Sequence, residues 1–575
     1  MDLARYFSTR RKQSKDGSNQ TESHQRRHLP LLATPVNKDV LEVLSSDGSV
    51  DLEKLDTHSS SGTLAISKTS SGNPIIYKRH HEASTIELFY DLFFVANLAT
   101  DEIALINYLK LFTLLWFTWL SVTLFDVRFS VDCLWNRLCK AVQFGVMTGW
   151  VFAGPIFDKY DASDDRRSFK AFALVLAISR FTIALQYIVV LIQGRHFRQT
   201  LVPVGLSALV YVCSGVAFLT TRFVFASGAI GTKEQVTWFI FAIVEGLLII
   251  GIAIYWRIVS FKYTHLVERM QLLTLIIIGE GIIGMVKSVA CIAKGQSHNN
   301  GREVGTVIAA CLLLVRFSSL YFDQLSHDRF GTIRQQVWVS LHYPLHAAIL
   351  FCVEGSTSII VWNSAVQALK WMWTRKPTDM ANPAYGFSND ADFINYLNKT
   401  MWDIDARFKS KGWNSTYLWD GNLTTIANYT NLYGFQTATW NNRTGNVVNK
   451  MFNNAQLFAF ESHADTLAKI NAVAYTNESA EAHLQAVYDV FNVTVMQFYI
   501  GAGAMLLILA IMYWFNKLHK TKYEFGEMII RTAIGFALIL VGVAAVLVNR
   551  TTSGFKFQAS EWIIAIVVIG FTVGE

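Results

Sequence analysis

"LLTLIIIGEGIIGMV", residues 272–286, decides the fold class. Thirteen of its fifteen residues are apolar or glycine; the exceptions are Thr274 and Glu280, the latter set where a membrane span would have its middle. A carboxylate at that depth costs roughly 2.5–3.5 kcal/mol on insertion scales, so the surrounding protein is expected to offset it or use it. The run also spells G-x-G-x-x-G at 279–284, the pattern of a dinucleotide loop. Such a loop needs a preceding strand and a helix N-terminus aimed at pyrophosphate. Here it lies inside a continuous apolar run, so Gly279, Gly281 and Gly284 are read as small residues that let helices pack closely.

The rest of the chain repeats that pattern. Of 575 residues, 52% are hydrophobic and 16% charged, against about a quarter charged in soluble domains. Apolar runs of about 18–25 residues recur, the length that spans a bilayer. Nine fall at roughly 86–105, 108–126, 138–157, 169–192, 200–222, 236–256, 270–290, 304–323 and 338–362, and three more near 496–515, 528–548 and 561–575. Asp91, Asp101 and Glu102 interrupt the first, and the last runs into the chain end at "VIGFTVGE", as a truncated span would. The expected fold is an all-α, polytopic transmembrane bundle of about twelve spans, with the lipid bilayer as its first partner.

Four regions follow: a tail over 1–83, a core over 84–362, an insert over 363–495 and three further spans over 496–575. The tail is polar and Ser-rich with no apolar h-region, so it reads as a disordered cytosolic segment rather than a cleavable signal. The insert has ordinary soluble polarity and no cysteine, with helix-like stretches such as "SAEAHLQAVYDVF". It holds seven N-x-[ST] sequons, at Asn398, Asn414, Asn422, Asn428, Asn442, Asn477 and Asn492; Asn549 is another after the eleventh span, and Asn19 lies in the tail. Clustered sequons point to a glycosylated luminal or extracellular loop. With a cytosolic N-terminus an odd number of spans must precede that loop, and nine do. The tenth span then returns to "NKLHKTKYE", basic as a cytosolic loop should be. Passage through a secretory pathway follows, to the plasma membrane or an endomembrane.

The net charge of +7 is modest over this length, and no basic stripe with interleaved aromatics suggests nucleic acid. The six cysteines, Cys133, Cys139, Cys213, Cys291, Cys311 and Cys352, form no C-x-x-C pair, which argues against a zinc ribbon or disulfide scaffold.

Other ionisable residues share the predicament of Glu280. Glu87 and Asp91 stand at i, i+4, so both point to one helix face. Arg180 and Glu245 each interrupt an apolar run. Arg316 and Asp323 are seven apart, again on one helix face, and a structural pair is the bland reading of them. His342 and His346 flank Pro344 at i, i+4, with Glu354 two turns on, and "HLVER" supplies His265, Glu268 and Arg269 just before the run containing Glu280. Acids outnumber the firm cations Arg180 and Arg316, so some acids are expected to be protonated or to hold a cation. For any one of these residues a structural role is as good a reading; for the set, function is favoured. The two histidines could also bind metal with Asp91 or Asp323 completing a site, or serve as hydrogen-bonding groups or a proton relay. No cofactor is otherwise expected.

Four segments, "ELFYDLFFVANLA" (87–99), "HLVERMQLLTLIIIGEGI" (265–282), "LYFDQLSH" (320–327) and "LHYPLHAAIL" (341–350), occur in an order and spacing that resembles the low-temperature-requirement A (LtrA) family of membrane proteins. The resemblance covers about 86–362 and extends over the last three spans, leaving out the tail and the insert. It falls on Glu87, Asp91, His265, Glu268, Arg269, Glu280, Asp323, His342 and His346. Tyr90, Asn97 and Gln271 depart from the family pattern. The resemblance implies the fold and no reaction.

Three functions are open. The leading one is a transporter or channel for protons, another small ion or a small molecule, lined by Glu87, Asp91, Glu280, Asp323 and the two histidines. A metal-dependent intramembrane lipid hydrolase would use His342, His346 and a carboxylate. A receptor or scaffold would present the insert. Enzymatic activity is the less favoured expectation.

Overall fold

The structure, a computed structural model, describes residues 30–35, 83–98, 105–150, 165–224, 232–261, 264–294, 301–323, 332–377, 379, 381–408, 416–463, 480–516, 520–548, 557 and 560–575. Among these there is no strand. The helices in order are α1 (Thr85–Leu98), α2 (Leu105–Phe129), α3 (Leu134–Gly149), α4 (Asp165–Gln193), α5 (Arg198–Val224), α6 (Thr232–Tyr255), α7 (Leu266–Lys294), α8 (Gly301–Phe322), α9 (Thr332–Ser340), α10 (His342–Trp373), α11 (Asp390–Arg407), α12 (Thr416–Tyr433), α13 (Ala438–His463), α14 (Ala480–Asn516), α15 (Lys522–Leu547) and α16 (Trp562–Gly574). Nine stretches among the described residues are long and apolar enough to cross a membrane. The other three expected spans coincide with α1, α3 and α16, which have 14, 16 and 13 residues. Twelve is therefore an approximate count.

Helix directions can be read from paired contacts. Glu87 meets His265 and Asp91 meets Arg269, both 178 positions apart, so α1 and α7 run parallel. Thr274 meets His346 and Gly281 lies against Val353, so α7 and α10 are parallel too. Neighbours in sequence run antiparallel: α3 with α4 through Gly149–Val175 and Gln143–Ser179, and α5 with α6 through Ser214–Glu245 and Thr221–Trp238. Gly355 against Phe498 and Phe351 against Gly501 make α14 antiparallel to α10. These directions agree with an odd number of traversals up to α10.

The fingerprint glycines act as packing residues in part. A Cβ on Gly281 would lie 2.5 Å from Val353 Cγ1, and one on Gly284 would lie 3.2 Å from Thr357 Cγ2. Gly279 faces open space, so close packing does not require it. Gly281→Ala is expected to lose about 1–3 kcal/mol by overpacking. Gly279→Ala should gain about 0.5–1 kcal/mol of helix stability. Thermal unfolding of the two purified variants in one detergent separates them, and equal shifts would contradict this packing.

Local chemistry sets several helix ends. Pro344 lies in the first turn of α10, where a missing N–H breaks no intrahelical bond. A capping box opens α15: Thr521 Oγ1 accepts from Glu524 N at 3.3 Å, and Thr521 N donates to Glu524 Oε2 at 2.8 Å. Cys133 caps α3 without a side-chain bond. Instead Leu134 N and Trp135 N each donate at 3.1 Å to the carbonyls of Pro30 and Leu31. This short piece of the tail, expected to be disordered, thus satisfies N–H groups that a helix start leaves open. The remainder of the expected tail up to residue 82 lies outside the described residues.

With 32 and 37 residues, α10 and α14 are longer than a span needs; roughly 48 and 55 Å of helix exceed a hydrocarbon core of about 30 Å. Their extra length carries the insert. Trp362 stacks on Phe491 at 4.1 Å. Around them Leu369, Met372, Phe393, Ile426, Trp440 and Phe452 form a second hydrophobic core, separate from that of the bundle. Among the sequons, Asn428 and Asn442 are exposed, Asn398 and Asn422 are half-buried, and Asn492 is buried in α14. The surface position a bulky glycan needs is met at the first two and not at Asn492. Asn19, Asn414, Asn477 and Asn549 lie outside the residues whose side chains are described.

Candidate functional site

The i, i+4 spacing of Glu87 and Asp91 does put both on one face of α1, and that face meets α7. Arg269 Nη2 donates to Asp91 Oδ1 at 2.7 Å, and its Nη1 is 3.3 Å from Glu87 Oε2. His265 Nε2 lies 3.1 Å from the same Glu87 oxygen, which also accepts from Ser84 N at 3.1 Å. Trp119 Nε1 on α2 donates to Asp91 Oδ1 at 2.7 Å. Asp91 and Arg269 are completely buried. One guanidinium therefore serves two carboxylates, with a histidine as the second partner of Glu87.

A second buried pair stands on the far side of α2. Arg180 Nε on α4 donates to Glu245 Oε2 on α6 at 3.1 Å, and its Nη1 donates to Thr118 Oγ1 at 2.9 Å. Ser121 Oγ lies 2.6 Å from Glu245 Oε1, and Ser214 Oγ donates to Oε2. A third pair, Lys140 with Asp126, is buried between α3 and α2. The Lys140 ammonium also sits 4.9 Å from the centre of the Tyr90 ring. The expected excess of acids shrinks by one charge, since Arg269 joins Arg180 as a buried cation, whereas Lys140 brings its own acid, Asp126.

The histidine pair is fully buried and internally satisfied. Trp116 Nε1 donates to His346 Nδ1 at 3.1 Å; an indole N–H can only donate, so Nδ1 carries no proton. Its Nε2 lies 2.8 Å from Thr274 Oγ1, whose hydroxyl also reaches the Met270 carbonyl at 2.9 Å. A neutral ring donating from Nε2 fits both contacts. His342 Nδ1 lies 2.9 Å from the Trp338 carbonyl, so it donates, and Nε2 meets Tyr321 Oη at 2.8 Å. Every ring nitrogen thus has a protein partner, and a metal would have to displace one. Among the described residues no group of three or more His, Cys, Asp or Glu is placed to hold a metal. The geometry favours the hydrogen-bonding role for this pair.

Glu280 stands apart. It is buried at 8% exposure, yet among the described residues it has no hydrogen-bond or ion-pair partner. Arg180 is committed to Glu245, and Arg316 pairs with Glu575. The groups close enough to act on Glu280 by charge are Lys287, two turns along α7, and Glu354 on α10. Glu354 is exposed on the protein's flank rather than interior.

Three expected partners fall outside these clusters. Asp323 is exposed at the end of α8, and the expected Arg316–Asp323 pair is replaced by Arg316–Glu575, because α16 packs along α8 and brings the last residue to Arg316. Glu268 is half-exposed, next to the buried Arg269. It makes no ion pair among the described residues. Sequence reading passed over Asp126, Trp116, Trp119 and Ser214. Asp126 was masked by its place near the end of an apolar run, beside Arg128. The tryptophans read as apolar bulk, although each carries a donor.

Residues 82–372, more than half of the chain, match the family model described as "Bacterial low temperature requirement A protein (LtrA)". No curated protein and no solved structure matches.

Proposed function

Because the chain belongs to the LtrA family, and its helices make it an integral membrane protein, we propose that it is a transport protein in which Glu280 takes up and releases a proton or small cation. One observation carries this reading: Glu280 is the buried mid-helix carboxylate that no cation or hydrogen-bond donor occupies among the described residues. Ionisable groups in hydrocarbon that are not paired mark ion or proton pathways. Glu354 offers a second acid within electrostatic reach, towards the outer flank. The Arg269 network ties α7, the helix that carries Glu280, to α1. The clustered sequons support a luminal or extracellular insert and a cytosolic N-terminus.

The test is flux through full-length protein reconstituted in liposomes, followed with a trapped pH indicator under a proton, sodium or potassium gradient. Glu280→Gln keeps the shape of the side chain and removes its charge. Flux is expected to fall to that of empty liposomes, while stability changes by no more than about 0.5 kcal/mol, because no bond is lost. Wild-type flux retained in both Glu280→Gln and Glu354→Gln removes the assignment.

A further inference from the structure

Three cations stand together at the base of the insert. Arg375 and Lys376 follow the end of α10, and Arg407 is the last residue of α11. The guanidinium carbons of Arg375 and Arg407 lie 3.8 and 4.4 Å from the centre of one ring, that of Trp371. The two like charges are therefore no more than about 8 Å apart and repel each other. Tyr396 Oη on α11 donates to the Arg375 carbonyl at 2.7 Å and ties the two segments together. All three cationic side chains are half-buried. Burial, and after it the charge of Arg375, lowers the pKa of Arg407, and burial lowers that of Lys376.

No acid neutralises them. None of the three makes an ion pair among the described residues. The charge of Glu303 acts on Arg407 without an ion pair, and Glu303 accepts from Ser364 at 3.2 Å. Arg375 Nη1 donates to the Trp371 carbonyl at 3.2 Å, and Arg407 Nε is buried without a partner. The C-terminus of α11 offers Arg407 about half a negative charge, and an indole face holds a cation without neutralising it. Two guanidinium forks and an ammonium together match an oxyanion with several acceptor oxygens.

The place of the cluster says which oxyanion meets it. Glu303 and Thr306, in the first turns of α8, meet Ser364 and Asn363 of α10, so that level marks the edge of the apolar span. Trp371 is two turns further along α10, roughly 10 Å. Headgroups extend about 5–8 Å beyond the hydrocarbon, within reach of long side chains anchored there. Trp373 and Trp402, on the same two helices, are 37% and 51% exposed, as tryptophans at a membrane–water interface are.

We propose that Arg375, Lys376 and Arg407 form a phosphate-binding site that holds the headgroup phosphate of a phospholipid against the base of the insert. The site is independent of the transport reading, since it shares no residue with the surroundings of Glu280.

The test is native mass spectrometry of the full-length protein, titrated with dioctanoyl phosphatidylglycerol, with dioctanoylglycerol, which has the same chains and no phosphate, and with inorganic phosphate. Wild type is expected to retain one phosphatidylglycerol per chain in preference to dioctanoylglycerol. Arg375→Gln combined with Arg407→Gln should weaken that retention about tenfold for each arginine, the loss of one charge-assisted hydrogen bond apiece. Arg443→Gln removes another arginine of the insert, 5.1 Å from the Tyr433 ring, and should leave retention unchanged. Inorganic phosphate that displaces the lipid assigns the site to phosphate as such; lipid that phosphate cannot displace assigns it to the headgroup. Wild type without preference for phosphatidylglycerol overturns the proposal. So does retention unchanged in the double variant, or lost equally in Arg443→Gln. Should the double variant fail to fold, crosslinking of wild type to a phosphatidylethanolamine with a photoreactive headgroup decides. Adducts on residues 371–376 or 402–408 support the site, and their absence there overturns it.

Discussion

Arg269→Ala is expected to destabilise the protein by about 3–5 kcal/mol, the cost of breaking a buried ion pair from one side. The effect belongs at the top of that range. Arg269 is completely buried and serves both Asp91, at 2.7 Å, and Glu87, at 3.3 Å, so its loss strands two carboxylates, with the His265 ring left as the neighbour of Glu87. Trp119 and Ser84 still donate hydrogen bonds but bring no charge. Arg269→Lys should recover little, because a point ammonium cannot reproduce a fork that reaches two acids. Adding Glu87→Gln and Asp91→Asn to Arg269→Ala should recover part of the loss, since neutral amides remove the stranded charge. Thermal unfolding and gel filtration of the purified variants measure this. A triple variant no more stable than Arg269→Ala would show that the guanidinium acts through packing.

The second large effect is steric. Gly503→Val is expected to cost about 1–3 kcal/mol or more by overpacking, and to loosen α14 from α15. A Cβ on Gly503 would lie 2.5 Å from the carbonyl oxygen of Gly535, and a Cβ on Gly535 would lie 2.9 Å from that of Gly503. Backbone cannot rotate away as a flexible side chain can, so the helices must separate. Close backbone approach is how helices associate in lipid, where apolar side chains gain nothing over the acyl chains they replace. Gly526→Val on the same hairpin meets nothing within 4 Å and is the matched control. Val forms helix better than Gly, so equal loss in both variants would show that the close approach to Gly535 is not the cause.

Much of the site was legible one helix at a time. Glu87 and Asp91 share a face because i, i+4 residues do, and His265 shares one with Arg269 for the same reason. The membrane cost of a charge singled out Arg180, Glu245 and Glu280 without any knowledge of their neighbours. Partner choice was not legible. Arg316 and Asp323 share a face of α8, but Glu575, next to α16, arrives from 259 residues away and takes the arginine. Lys140 lies near the start of an expected span, and nothing along the chain announces that it turns inward to Asp126. Trp116 and Trp119 are apolar by any hydropathy reading, yet each spends its indole N–H on a buried histidine or carboxylate.

The sequence by itself determined that this chain is a helical membrane protein. A run such as "LLTLIIIGEGIIGMV" in hydrocarbon must satisfy its backbone within the segment, and a helix does so. It also determined which residues are costly there, because that cost is local to the residue and its depth. Only the tertiary structure decided which costs are cancelled. Arg269 cancels two, Arg180 and Lys140 one each, and Glu280 keeps its own, because an ion pair depends on two side chains meeting within about 4 Å. Helices distant in sequence set that separation by how they pack, and no spacing along one strand of sequence encodes it.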